Sequence, residues 1–146
     1  MQTLVHAHSG LRWVVLILLL AAIFKSFKGY TGKKEYTAGD KKIYLFALIS
    51  FHIQYLIGFI LYFTSPKVAF MEGFMKSPTL RFFAVEHIFG MTLAMVLITV
   101  GYSKSKKLAE SAGKHRKIFV FYLLTLLAVL ATIPWPFLTY LGANWF

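Results

Sequence analysis

The chain has 146 residues, of which 58% are hydrophobic and only 14% are charged, a composition too apolar for an ordinary soluble domain of this size. It contains no cysteine, which excludes disulfides, thiolate metal sites, iron–sulfur clusters and covalent haem attachment. The formal net charge is +11, but the basic residues gather in two short connections, which favours a membrane-topology signal over a nucleic-acid surface.

Four apolar segments are long enough to cross a hydrocarbon core, which takes roughly 20 residues each. They are Thr3–Phe24, Ile43–Thr64, Leu80–Ser103 and Ile118–Leu141. The connections between them are short, so the sequence predicts a single domain over residues 1–146. We expect an all-α integral membrane protein, folded as an up-down-up-down bundle of four transmembrane helices.

The basic residues also predict the orientation of this bundle. Twelve of them flank the first and third connections: Lys25, Lys28, Lys33, Lys34, Lys41, Lys42, Lys104, Lys106, Lys107, Lys114, Arg116 and Lys117. Connections rich in lysine and arginine stay in the cytoplasm. We therefore expect a multi-pass protein of the bacterial inner membrane with both termini in the periplasm, in contact with anionic lipid.

Polar side chains in the first two segments are few. In the first segment, His8 and Arg12 lie near the outer end, four residues apart, and therefore share a helix face. The second segment contains His52 and Gln54, and Asp40 is expected to cap it or closely precede it. These groups are candidates for function, because polar side chains inside a bilayer are costly.

The third segment is opened by Ser77-Pro78, a dipeptide typical of a helix start, and it holds the adjacent pair Glu86 and His87. Small residues flank this histidine on its own face, where they allow close helix approach or leave room for a flat ligand. They are Ala84, Gly90 and Ala94.

The fourth segment has no ionisable group in its middle. Pro134 and Pro136 are expected to break or kink it near the outer face. His6 and His115 lie near segment ends, and we expect both to be solvated.

The strongest functional indication is a shared depth. His8 lies seventeen residues before Lys25, and His87 lies seventeen residues before Lys104. A helical rise puts both imidazoles about 25 Å from one membrane face. Two imidazoles at one level on two helices predict a b-type haem ligated by His8 and His87, because neutral imidazole is a common axial ligand of haem iron. Interhelical hydrogen bonds and a different metal ion remain the alternatives.

The neighbouring charges allow two readings. Arg12 and Arg81 are candidates to bind haem propionates. Arg12 is alternatively expected to form an ion pair with Glu86, since a buried charge needs a partner. By the same count from the flanking lysines, His52 lies about 10 Å closer to the cytoplasmic face than His8 and His87 do. It could be a third haem ligand, a group that supports the other ligands, or a hydrogen-bond donor to a quinone. The alternative is that it only forms an interhelical hydrogen bond.

Several stretches resemble a known family. They are H-A-H-S-G-L-R-W, S-F-H-I-Q-Y-L-I-G, R-F-F-A-V-E-H, G-Y-S-K-S-K-K and I-P-W-P-F. Together they resemble the small four-helix membrane proteins of Bacteroidetes-type bacteria that genomes label "cytochrome B". The resemblance implies His8, His52 and His87 as candidate ligands. A more distant likeness is to one half of haem A synthase, from which this chain departs because its fourth segment has no histidine.

If the protein is redox-active, the sequence predicts an electron carrier or oxidoreductase subunit, not a hydrolase or transferase. Quinone or a larger respiratory or other membrane complex is the expected partner, and nucleic acid is not. The alternative is a haem-free accessory subunit of a larger membrane complex, in which the histidines only join helices.

Overall fold

The computed structural model describes residues 2–143 and 145, and all regular secondary structure in these residues is helical. Four long helices dominate: α1 (Gln2–Thr31), α2 (Ala38–Thr64), α3 (Pro78–Lys106) and α4 (Ser111–Thr132). Each is long and apolar enough to cross a membrane, so the fold is that of a multi-pass helical membrane protein. Short 3₁₀ turns at Phe74–Lys76 and Thr139–Leu141 lie in the connections and the C-terminal segment.

Local sequence signals fix where the middle helices begin. Thr37 caps α2 by accepting from the amide of Asp40, whose carboxylate in turn accepts from the amide of Thr37 at 2.7 Å. Lys25 of α1 pairs with this carboxylate at 3.2 Å and ties the two helices together. Ser77 caps α3 directly before Pro78, as the sequence predicts.

Two helices depart from the simple pattern. Helix α4 ends at Thr132, because Ile133 is extended and Pro134 cannot continue the ladder. The predicted break at the prolines is thus confirmed, but the predicted segment boundary at residue 141 is wrong for the helix. In α3, residues Phe82–Glu86 form a π-helical turn immediately before His87, a feature that often marks functional sites.

The helices pack in a closed order, α1 against α2 and α4, and α3 against α2 and α4. Consequently α1 and α3 face each other across the bundle. Buried residues such as Leu19, Ala47 and Ile98 form the core. Large apolar side chains point outwards instead, Phe89 among them at 72% exposure, which suits a surface that meets lipid.

Candidate functional site

A cavity of about 560 Å³ lies at one end of the bundle, a size typical of small-molecule sites. Its walls come from the first part of α1, the last part of α2, the first part of α3 and the end of α4. The walls are mostly apolar, with His8, Arg12, Gln54, Lys67 and His87 among the polar lining residues. None of the described residues that line it is Asp or Glu.

His8 and His87 meet across this cavity, with ring centroids 6.5 Å apart and ring planes at 85°. The prediction that they share one level is therefore confirmed by their contact. Two imidazoles that each bind one metal ion at about 2 Å place their centroids about 6 Å apart. The observed spacing of the centroids is close to that of a shared metal centre.

Three features of the chain hold the ring of His87. Its Nδ1 lies 2.8 Å from the carbonyl oxygen of Thr132, and Phe82 stacks on the ring at 6.0 Å. Gly90 has no Cβ, which allows the Thr132 side chain to lie directly against α3. Because a carbonyl only accepts, Nδ1 carries the hydrogen in the neutral ring, and the lone pair is on Nε2.

The ring of His8 is seated against a glycine of α2. A Cβ on Gly58 would lie 2.8 Å from Cε1 of the ring, so only glycine leaves His8 in this position. The amide of Gln54 donates to the main-chain oxygen of His8 at 2.8 Å. Nδ1 of His8 and Oε1 of Gln54 are both buried without a hydrogen-bond partner among the described residues. Such orphaned polar atoms are unusual in a folded chain.

Two cations flank the cavity, and both bind main-chain carbonyls near the C-terminus. The buried guanidinium of Arg12 donates to the oxygens of Trp145 at 3.0 Å and Pro134 at 3.4 Å. The Lys67 ammonium donates to the oxygens of Gly142 at 2.6 Å and Leu141 at 3.2 Å. Partial burial lowers the pKa of Lys67. Sequence reasoning missed this lysine, whose only signal was its position after Ser65-Pro66 at the end of α2.

Glu86 does not pair with Arg12, and that prediction is wrong. Its carboxylate accepts from Nε of Arg81 at 2.7 Å, across the π-helical turn that separates them. Both side chains are more than two-fifths exposed. Arg81 is therefore engaged with Glu86 and does not line the cavity, while Arg12 does.

His52 lies away from the other two predicted ligands. Its Nδ1 is 2.8 Å from the carbonyl oxygen of Leu48, and its Nε2 is 3.2 Å from the hydroxyl of Thr99. Thr99 is twelve residues after His87 on α3, so about 18 Å further along the helix. The structure thus gives His52 an interhelical hydrogen bond and brings it to neither His8 nor His87.

His115 is buried, and the prediction that it is solvated is wrong. The side chain is 1% exposed and packs on Gly29 of α1, where a Cβ would lie 2.6 Å from the ring. Its Nδ1 is 2.9 Å from the hydroxyl of Tyr44, and the main-chain oxygen of Tyr44 accepts from Tyr122 at 2.8 Å. This polar cluster joins α1, α2 and α4 at the end away from the cavity. His6, by contrast, is exposed, as predicted.

Within residues 2–143 and 145, no group of three or more His, Cys, Asp or Glu side chains is placed to hold a metal ion. The paired imidazoles therefore do not form a closed tetrahedral site of the kind that structural zinc needs. Comparison with family models, curated proteins and solved structures found no match to this chain.

Proposed function

We propose that this chain is a b-type cytochrome-like membrane protein that carries electrons, with a haem held between His8 and His87 in the cavity. The observation that carries the proposal is the opposition of two imidazoles from facing helices at 6.5 Å inside a cavity of about 560 Å³. A bound haem would supply a one-electron couple within the membrane. The chain would carry electrons and would not make or break substrate bonds.

The residues around the pair suit this role. His87 keeps the lone pair of Nε2 for a metal, because its Nδ1 is bound to Thr132. Two axial ligands complete a haem iron but leave a bare metal ion under-coordinated, which favours haem over zinc or copper.

The orientation belongs to the same proposal. The basic connections between α1 and α2 and between α3 and α4 would lie in the cytoplasm of a bacterium. The helices would then alternate in direction across the inner membrane, with both termini and the cavity at the periplasmic side. An electron donor such as a quinol, or a larger membrane complex, would be the redox partner.

The test is a spectrum of the full chain purified in mild detergent after expression with haem supplied. We expect a Soret band, b-type haem by pyridine haemochrome, and a low-spin spectrum that His8→Ala and His87→Ala each abolish. His52→Ala is the matched control and should retain it. A wild-type protein without haem, co-purified with stoichiometric partners, would overturn the proposal in favour of the accessory-subunit alternative. Loss of the spectrum in His52→Ala alone would overturn the ligand assignment.

A further inference from the structure

The cavity wall includes a lysine, Lys67, that the paired imidazoles of His8 and His87 do not explain. No Asp or Glu lines the cavity beside it among the described residues. Both ion pairs between described residues, Lys25–Asp40 and Arg81–Glu86, lie elsewhere. A cation brought towards an apolar cavity is costly unless an anion meets it there.

Lys67 is placed to meet such an anion. Its ammonium has three N–H donors, of which two are used by the carbonyl oxygens of Gly142 and Leu141. The ammonium is also 5.2 Å from the ring centroid of Phe83, another residue of the cavity wall. Carbonyl oxygens orient the cation without neutralising it, so its charge remains available to a ligand.

We propose that Lys67 binds a carboxylate of the ligand, so that the cavity takes a planar apolar molecule bearing acid groups and not a neutral, quinone-type one. The inference rests on the proposed function for the identity of that molecule, since haem carries propionates. The two proposals concern different parts of the ligand: Lys67 binds the acid group, whereas His8 and His87 bind the metal.

Four porphyrins distinguish binding through the metal from binding through the acid groups. Haemin and its dimethyl ester contain iron; protoporphyrin IX and its dimethyl ester do not; the esters lack the acid groups. Binding of each to the full chain in detergent is followed by absorbance and by quenching of tryptophan fluorescence. We expect both free acids to bind about tenfold more tightly than their esters, the value of one charge-assisted hydrogen bond.

Variants assign the preference to the lysine. Lys67→Gln should lower the affinity for the two acids about tenfold and leave the two esters unchanged, and Lys67→Arg should restore the acids. Lys76→Gln removes an exposed lysine of the same connection and should change nothing. Equal losses for acids and esters would mean that Lys67 only anchors the C-terminal segment, and would overturn the inference.

The outcomes for the two proposals are distinct. If protoporphyrin IX binds more tightly than its ester, the carboxylate site at Lys67 is supported. If haemin at the same time binds no more tightly than protoporphyrin IX, ligation of the iron by the histidines is ruled out. Haemin bound through the histidines but no more tightly than its ester defeats the carboxylate site alone. Should Lys67→Gln fail to fold, Lys67→Met takes its place in the comparison of acids with esters, and no preference of the wild-type protein for the acid overturns the inference.

Discussion

The carbonyl oxygen of Thr132 lies 2.8 Å from Nδ1 of His87, at the last residue of α4. In a continuing helix that oxygen would accept from the amide of residue 136, which is a proline and has no N–H. Pro134 removes the donor for Leu130 in the same way, and there the indole of Trp135 takes its place at 3.1 Å. The two prolines thus free two carbonyls, and one of them orients the candidate haem ligand.

The double variant Pro134→Ala/Pro136→Ala should weaken haem binding by about ten- to a hundredfold, the usual effect of losing the group that orients a metal ligand. Extension of α4 would give the Thr132 carbonyl an intrahelical donor and take it from His87. Haem titration measures the affinity. Pro136→Ala alone is the control, because Pro134 still ends the helix; equal affinity in all three proteins would contradict the argument.

Gly58→Ala should displace the ring of His8, since the new Cβ would lie 2.8 Å from its Cε1. We expect haem affinity to fall by about ten- to a hundredfold, as for other disturbed metal ligands. Gly10→Ala is a matched control on α1 with nothing within 4 Å of the new Cβ. It should bind haem normally and gain about 0.5–1 kcal/mol of stability, because alanine suits a helix interior better. Similar haem affinities for the two variants would be evidence against the seat at Gly58.

Glu86→Gln should lower the free energy of unfolding by less than about 1 kcal/mol, because exposed ion pairs contribute little to stability. Arg81 and Glu86 are 44% and 42% exposed, so solvent screens their attraction. The free energy of unfolding is measured by titration with a denaturing detergent in mixed micelles. Arg81→Gln and the double variant are measured in the same way to complete the double-mutant cycle. A loss of several kcal/mol in either single variant, relieved in the double, would show a buried pair instead.

Tyr44→Phe should destabilise the protein by about 1–3 kcal/mol, the cost of stranding a buried polar group. Nε2 of His115 already has no partner among the described residues, and the variant would remove the partner of Nδ1 as well. The same detergent titration gives the free energy of unfolding. Tyr140→Phe, at an exposed tyrosine, should be neutral; equal effects of the two variants would argue against the Tyr44–His115 bond as a stabilising contact.

Stability should fall with rising pH in the alkaline range, in part through Tyr36. Burial, with contributions from Tyr102 and Asp40, raises the pKa of the Tyr36 phenol from 10.0 to about 12. The unfolded chain then loses this proton first, so the stabilisation is complete below pH 10 and is lost as the pH rises through about 12. Thermal unfolding from pH 9 to 12 measures the slope. Tyr36→Phe should make it shallower, and an unchanged slope would show that Tyr36 does not contribute.

The sequence alone determined the features that depend on one helix at a time. Hydropathy sets the four spans, Ser77-Pro78 and the prolines after Thr132 set helix ends, and a constant rise per residue puts His8 and His87 at one level. Each of these follows from the chemistry and spacing of neighbouring residues, so no knowledge of packing was needed.

The tertiary structure decided which side chains meet, because that depends on helix rotation and crossing, which sequence spacing does not encode. Across the π-helical turn in α3, Glu86 forms its ion pair with Arg81 rather than with Arg12. Close approach of α4 to Gly29 buries His115, which looked terminal. The chain after α2 folds back so that Lys67 lies at the cavity wall. In each case the partner is remote in sequence or reached through an irregular turn, so only the packed helices select it.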